Sequence, residues 1–172
     1  MKKIRMTLIV AVVVLAGFVS MMTQAMAQSM NFKLVSMIEK VEIVKVTQTE
    51  GVIIGVLDRK GLSIFENGEI ATTSCRGTFD TKKGIQGYSS IIFEDGSTLL
   101  LSWKGPAIQP APAGGKFWEY TMATEYVEGS GRFKGIKGNG TFTGKEPQFD
   151  DDYKGKGFTY YIFTGNYTLP SK

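Results

Sequence analysis

Residues 129–144 read GSGRFKGIKGNGTFTG. Six of the sixteen are glycine, with Arg132, Lys134 and Lys137 among them. Two readings compete: a loop that cradles a phosphate, or a device by which a β-sheet turns a corner. A dinucleotide fingerprint needs G-x-G-x-x-G between a strand and a helix. Here Gly129 and Gly131 are followed by Lys134 at the third glycine position, and Gly138 and Gly140 by Thr143. The phosphate loop G-x-x-x-x-G-K-[ST] fails as well. Read back from Gly144-Lys145, its first position is Asn139 and its last is Glu146. No helical pattern follows. The sheet-turning reading accounts for the residues: Gly129 and Gly131 permit a tight bend, Phe133 and Ile136 plug a core, and the three basic side chains point outward. Glycine at such points allows bulges and close backbone approach at barrel corners.

Strand signals surround this stretch. Residues 116–127 (KFWEYTMATEYV) alternate, with Trp118, Tyr120, Met122, Thr124 and Tyr126 on one face and Phe117, Glu119, Thr121, Ala123 and Glu125 on the other. Two hairpins are marked by Asn67-Gly68 and Asp95-Gly96, each between apolar-rich runs. Such dipeptides suit a two-residue type I′ turn. In the second hairpin that turn sets Phe93 opposite Thr98, Ile92 opposite Leu99 and Ile91 opposite Leu100. Its strands are apolar on both faces, so both are expected to be covered. Residues 41–48, 51–58 and 74–80 read as further strands, and GFTYYIFTGNYTL closes the chain. Residues 29–39 read as a short helical or irregular lead-in. Residues 105–115, with three of the five prolines, and the charged residues 145–157 read as loops. The sum is about eight strands with turn signals throughout, the pattern of an all-β sandwich or barrel.

The first 27 residues read as a secretory signal peptide. Lys2, Lys3 and Arg5 precede an apolar run over 6–19, and Ala25-Met26-Ala27 supplies the small-x-small cleavage pattern before Gln28. Residues 28–172 are then one exported domain, periplasmic or extracellular, with no membrane span after cleavage. Three of the 20 basic residues leave with the signal, so 17 face 16 acidic ones and the net charge falls to about +1. That balance lacks the basic footprint of a nucleic-acid binder. Glycine makes up 20 of the 145 remaining residues, about twice the ordinary share of roughly 7%. The single cysteine, Cys75, has no disulfide partner in the chain and reads as a buried small apolar residue. The absence of histidine removes Ser-His-Asp and Cys-His nucleophilic sites and the usual zinc sites.

The segment EGSGRFKGIKGNGTFTG, between an alternating strand and the aromatic FTYYIFTGNYTL, resembles the allene oxide cyclase-like and dirigent-like β-barrels. Gly129, Gly131, Phe133, Gly135 and Gly138 match the element that joins two late strands in those proteins. The resemblance covers residues 118–169. It implies a single antiparallel eight-stranded β-barrel with an apolar interior, often trimeric. The early acidic, proline-containing segment of the plant cyclases has no counterpart in VTQTEGVIIGVLDRKG, so no catalytic residue is carried over.

Small barrels of eight strands either fill with side chains or hold one small ligand. Cys75, Trp118, Tyr120, Tyr161 and Phe163 are the candidate ligand-lining residues. Glu119 and Glu125 lie six residues apart on one strand face, about 20 Å at 3.4 Å per residue, too far to act as a pair. Asp150, Asp151 and Asp152 are consecutive rather than alternating, so they read as a solvated loop and not a cation site. No metal or cofactor is expected. The leading expectation is a non-catalytic barrel that binds a small apolar ligand. The alternatives are an isomerase or cyclase acting on an apolar substrate inside the barrel, with Cys75 or Glu119 as groups to test, and an interaction module that forms homo-oligomers.

Overall fold

The structure, a computed structural model, describes residues 26–46, 52–107, 117–147 and 157–171. Eight strands follow in order: β1 (Gln28–Lys45), β2 (Ile53–Phe65), β3 (Ile70–Asp80), β4 (Gly84–Ile92), β5 (Thr98–Gly105), β6 (Phe117–Gly129), β7 (Lys137–Pro147) and β8 (Phe158–Thr168). Each pairs antiparallel with its sequence neighbour, and β8 pairs with β1 to close the barrel. Closure leaves the sheet without an open edge. Among the described residues no helix is long and apolar enough to cross a membrane. The targeting segment expected over residues 1–27 lies almost wholly outside the described residues, and Gln28 opens β1.

The glycine stretch closes one end of the barrel. Gly131–Phe133 form a single 3-10 turn between β6 and β7, and Phe133 and Ile136 are buried, as expected. Phe133 packs on Phe93 and Phe93 on Phe65, ring to ring. Arg132 lies over the rings of Phe93 and Phe133 at 4.6 and 4.9 Å and is paired with Glu69 and Asp95. One side chain thus ties the β6–β7 turn to both hairpins. The connections β1–β2, β3–β4, β5–β6 and β7–β8 all leave from the opposite end.

Four expectations are corrected. Residues 29–39 are not a lead-in but the first half of an 18-residue strand. Met30, Phe32, Leu34, Ser36 and Ile38 all point inward. Ser36 hid the alternation because its hydroxyl is satisfied inside by Thr159 at 2.5 Å. A bulge after Ile38 then shifts the pattern by one residue. The second correction concerns the hairpins, which have three-residue loops. Phe93 N–H donates to the Ser97 carbonyl and Phe65 N–H to that of Glu69. Among the described residues none other than glycine has a positive φ, so Asn67 and Asp95 cannot serve a type I′ turn, and Gly68 and Gly96 carry the left-handed position alone. The extra residue moves the register to Ile92 opposite Thr98 and Ile91 opposite Leu99. Ile91, Phe93, Leu99 and Leu101 consequently share the interior. Third, the outer face of this hairpin is not covered within the described residues: Ile92 is 48% exposed. Fourth, β7 runs on to Pro147, so Lys145 and Glu146 belong to a strand rather than to a solvated loop. Asp150, Asp151 and Asp152 lie outside the described residues.

Candidate functional site

The interior toward the four-connection end carries the chain's two buried charges among the described residues, Arg59 and Glu146. Arg59 projects inward from β2, in line with Gly55, Leu57 and Ser63, and Glu146 from β7, in line with Phe142 and Gly144. Arg59 Nη2 donates to Glu146 Oε1 at 2.5 Å and Nη1 donates to the Tyr161 hydroxyl at 3.2 Å. Tyr161 O–H in turn donates to Glu146 Oε2 at 3.0 Å. The three groups form a closed ring of hydrogen bonds. Arg59 Nε is the exception, a buried donor with no partner among the described residues.

A second chain of bonds lies beside the first. Trp103 Nε1–H donates to Ser89 Oγ, and Ser89 O–H donates to Cys75 Sγ, both at 3.1 Å. The indole finds room because Gly77 and Gly87 sit opposite each other on β3 and β4 beneath it. A Cβ at Gly77 would lie 2.1 Å from the Trp103 ring, and one at Gly87 2.4 Å from it. Two spaces of about 10 Å³ remain in this layer, and Arg59 and Trp103 border both. The first is also walled by Leu57, Phe79, Ile85 and Tyr120, the second by Cys75, Ser89 and Tyr161. Each is near the smallest space that holds one water-sized group. Around these spaces the interior is packed with the buried side chains of the core.

Burial sets the titration of this layer. It pushes the Cys75 thiol up, and the Ser89 bond and the nearby guanidinium only partly reverse this, so Cys75 is a thiol at neutral pH and a poor nucleophile. Burial likewise raises Tyr120 and Tyr161, which remain neutral phenols. It also raises Glu146 above the ordinary carboxylate range, against the lowering by Arg59 and Tyr161. For Arg59 burial acts downward and is the largest single influence, but Glu146, Tyr161, Cys75 and Tyr120 together more than offset it, and the cation is held firmly protonated.

No protein-family model and no curated protein matches this chain. Among solved structures, the barrel is similar to two pterocarpan synthase dirigent proteins. GePTS1 is 13% identical, with a TM-score of 0.48 over 87% of this chain and 96% of that one. PsPTS1 is 12% identical, with a TM-score of 0.46 over 87% of this chain and 99% of that one. The likeness is one of overall barrel shape.

Of the five residues singled out from sequence, Cys75, Tyr120 and Tyr161 meet in the layer of Arg59 and Glu146. Trp118 is half-buried toward the four-connection end, its ring edge-on to Tyr120 at 6.4 Å. Phe163 lies elsewhere. It stacks on Phe32 at 4.6 Å and packs on Phe142 at 4.9 Å, filling the core rather than lining either space. Glu119 and Glu125 point out of the barrel, and Glu119 is paired with Lys145 at 2.6 Å in solvent. Arg59 and Glu146 were missed. Their signal was the continued period of two through DRKG and through TFTGKEP, where a charged residue falls on an inward position. Among the described residues no cluster of acidic and cysteine side chains is placed to hold a metal ion.

Proposed function

We propose that this chain is an exported, non-catalytic barrel that binds a small, largely apolar ligand at its four-connection end. The observation that carries the reading is the Arg59–Glu146–Tyr161 ring, buried among apolar and aromatic walls, with one donor left over beside a space. A buried ion pair is weak support for stability, because desolvation consumes most of its attraction. Strongly perturbed ionisable groups concentrate at functional sites. The apolar walls of Leu57, Phe79, Ile85 and Tyr120 suit the body of an apolar ligand. With the interior packed around these small spaces, entry requires side chains to part, and the half-buried Trp118, second residue of β6, stands at that end. The same packing weighs against the cyclase alternative: Cys75 is held as a thiol, Glu119 lies outside, and Glu146 is already engaged. Native mass spectrometry of residues 28–172, prepared from cell envelope without harsh delipidation, tests the reading. An adduct of a few hundred daltons (about the mass of a drug-sized ligand) that leaves on denaturation is expected. A bare mass from such material, repeated after gentle detergent-free extraction, would remove the reading.

A second reading rests on the outer surface. Val35 and Met37 on β1, Leu62 and Ile64 on β2, and Tyr160 and Ile162 on β8 all face outward and are 38–49% exposed. Val35 is the register partner of both Leu62 and Tyr160, so the apolar side chains adjoin across three strands. Contiguous apolar surface of this kind marks an association site. We propose that it joins copies of the chain, as the sequence resemblance implies. Light scattering after size exclusion is expected to give an oligomer for the native chain and a monomer for the double variant Val35→Glu, Leu62→Glu. A native chain that runs as a monomer at all concentrations would end this proposal.

A further inference from the structure

We infer that the ligand of the interior site is an uncharged carbonyl compound whose single acceptor oxygen takes the free N–H of Arg59 Nε. The inference rests on the binding reading above and narrows it by counting what the site has left to offer. A guanidinium has five N–H donors and no acceptor. In this layer both terminal nitrogens of Arg59 are engaged, one with Glu146 and one with Tyr161. The Tyr161 proton goes to Glu146, the Trp103 proton to Ser89 and the Ser89 proton to Cys75. Each terminal nitrogen spends one N–H in these bonds, and the buried nitrogen left with no partner at all in this layer is Arg59 Nε.

Charge narrows the class further. Arg59 is neutralised by Glu146, and these two are the only buried charges among the described residues. A carboxylate or phosphate on the ligand would enter an apolar barrel without an unspent cation to meet it. An ammonium would find Glu146 already spent. Either would be an uncompensated buried charge, which is strongly unfavourable. An uncharged oxygen costs little to bury once it accepts a hydrogen bond, and a donor left unpaired is itself a penalty that such an oxygen removes.

The test uses three probes of one medium chain length: a methyl ketone, the alkane and the carboxylate. Binding is followed by the fluorescence of Trp103 and Trp118, the chain's two tryptophans, and by native mass. The ketone is expected to bind about tenfold or more tighter than either other probe, the discrimination expected of one hydrogen bond from a charged donor. Arg59→Lys keeps a cation opposite Glu146 but has no Nε donor. It is expected to bring ketone and alkane within about twofold of each other, the remaining apolar burial being the same for both. A carboxylate that binds as tightly as the ketone overturns the inference while the binding reading stands. So does an Arg59→Lys chain that keeps the ketone preference. Binding of none of the three removes the interior site itself, and this inference with it. Should Arg59→Lys fail to fold, the three-probe series on the native chain decides alone.

Discussion

Glu146→Leu is expected to lower folding stability by about 3–5 kcal/mol, with little dependence on pH. The leucine leaves the Arg59 guanidinium 93% buried with no carboxylate to face. A guanidinium cannot shed its proton to escape. The reciprocal change, Arg59→Met, strands a group that can. Burial already holds Glu146 above the ordinary carboxylate range, and Arg59 is the first of the influences pulling it down. Without Arg59 the folded-state pKa rises further above the unfolded value. The folded state then binds the extra proton, so this contribution is fully present below the unfolded carboxylate pKa. It is lost as pH rises through the folded one, by up to about 1.4 kcal/mol per pH unit. Arg59→Met is therefore expected to approach the native chain in acid and to weaken steadily toward neutral pH. The double variant Arg59→Met, Glu146→Leu is expected to recover most of the loss, since apolar groups replace the pair on both sides. Urea unfolding of the four chains across a pH series measures all of this. A Glu146→Leu chain within about 1 kcal/mol of native, the range of an exposed pair, would show that the two charges do not meet in a dry interior. A pH-independent Arg59→Met chain would show the same.

The second large effect is expected at Gly138, near the start of β7. Its φ is +146°, and a Cβ there would lie 2.1 Å from the Asn166 carbonyl oxygen and 2.8 Å from Tyr167 Cα. Both are backbone atoms of β8, so no side-chain rotation relieves the contact. Gly138→Ala is expected to cost about 2–5 kcal/mol, combining backbone strain with overpacking that pushes one strand off the next. Gly68 provides the control. Its φ is also positive, at +84°, but nothing lies within 4 Å of a Cβ built there. Gly68→Ala is expected to cost only the left-handed penalty of about 1–2 kcal/mol. Thermal unfolding of the two variants side by side separates the effects. Equal losses would mean that β7 does not approach β8 as closely as described.

Much of the architecture was legible in residue order because its signals are local. The alternation over residues 116–127 marked β6, and the faces it assigned are the ones the barrel uses. The glycine stretch was legible too: two failed phosphate motifs left a turn, and Phe133 and Ile136 became the plug. In β1 and β2 the local signal was overridden by a polar group that meets a partner inside the barrel. Ser36 and Arg59 occupy inward positions, so β1 and β2 each looked broken in the middle. Their partners, Thr159 and Glu146, lie 123 and 87 residues away, beyond the reach of any pattern of period two.

The candidate site divides in the same way. Cys75, Tyr120 and Tyr161 were found as aromatic or thiol residues on alternating strands, whereas Arg59 and Glu146 sat inside DRKG and KEP, segments whose composition suggests solvent. Strand content, turn positions, the missing histidine and the lack of a disulfide partner all follow from the order of residues, because each depends on neighbours in the chain or on composition alone. Which face of each strand looks inward does not. Alternation distinguishes two faces without ranking them, and a single added turn residue, as at Gly96, exchanges the residues that oppose one another. Closure of β8 onto β1 ranks the faces, since only then is one side dry. Closure also brings two charges from distant strands within 2.5 Å of each other in that dry space.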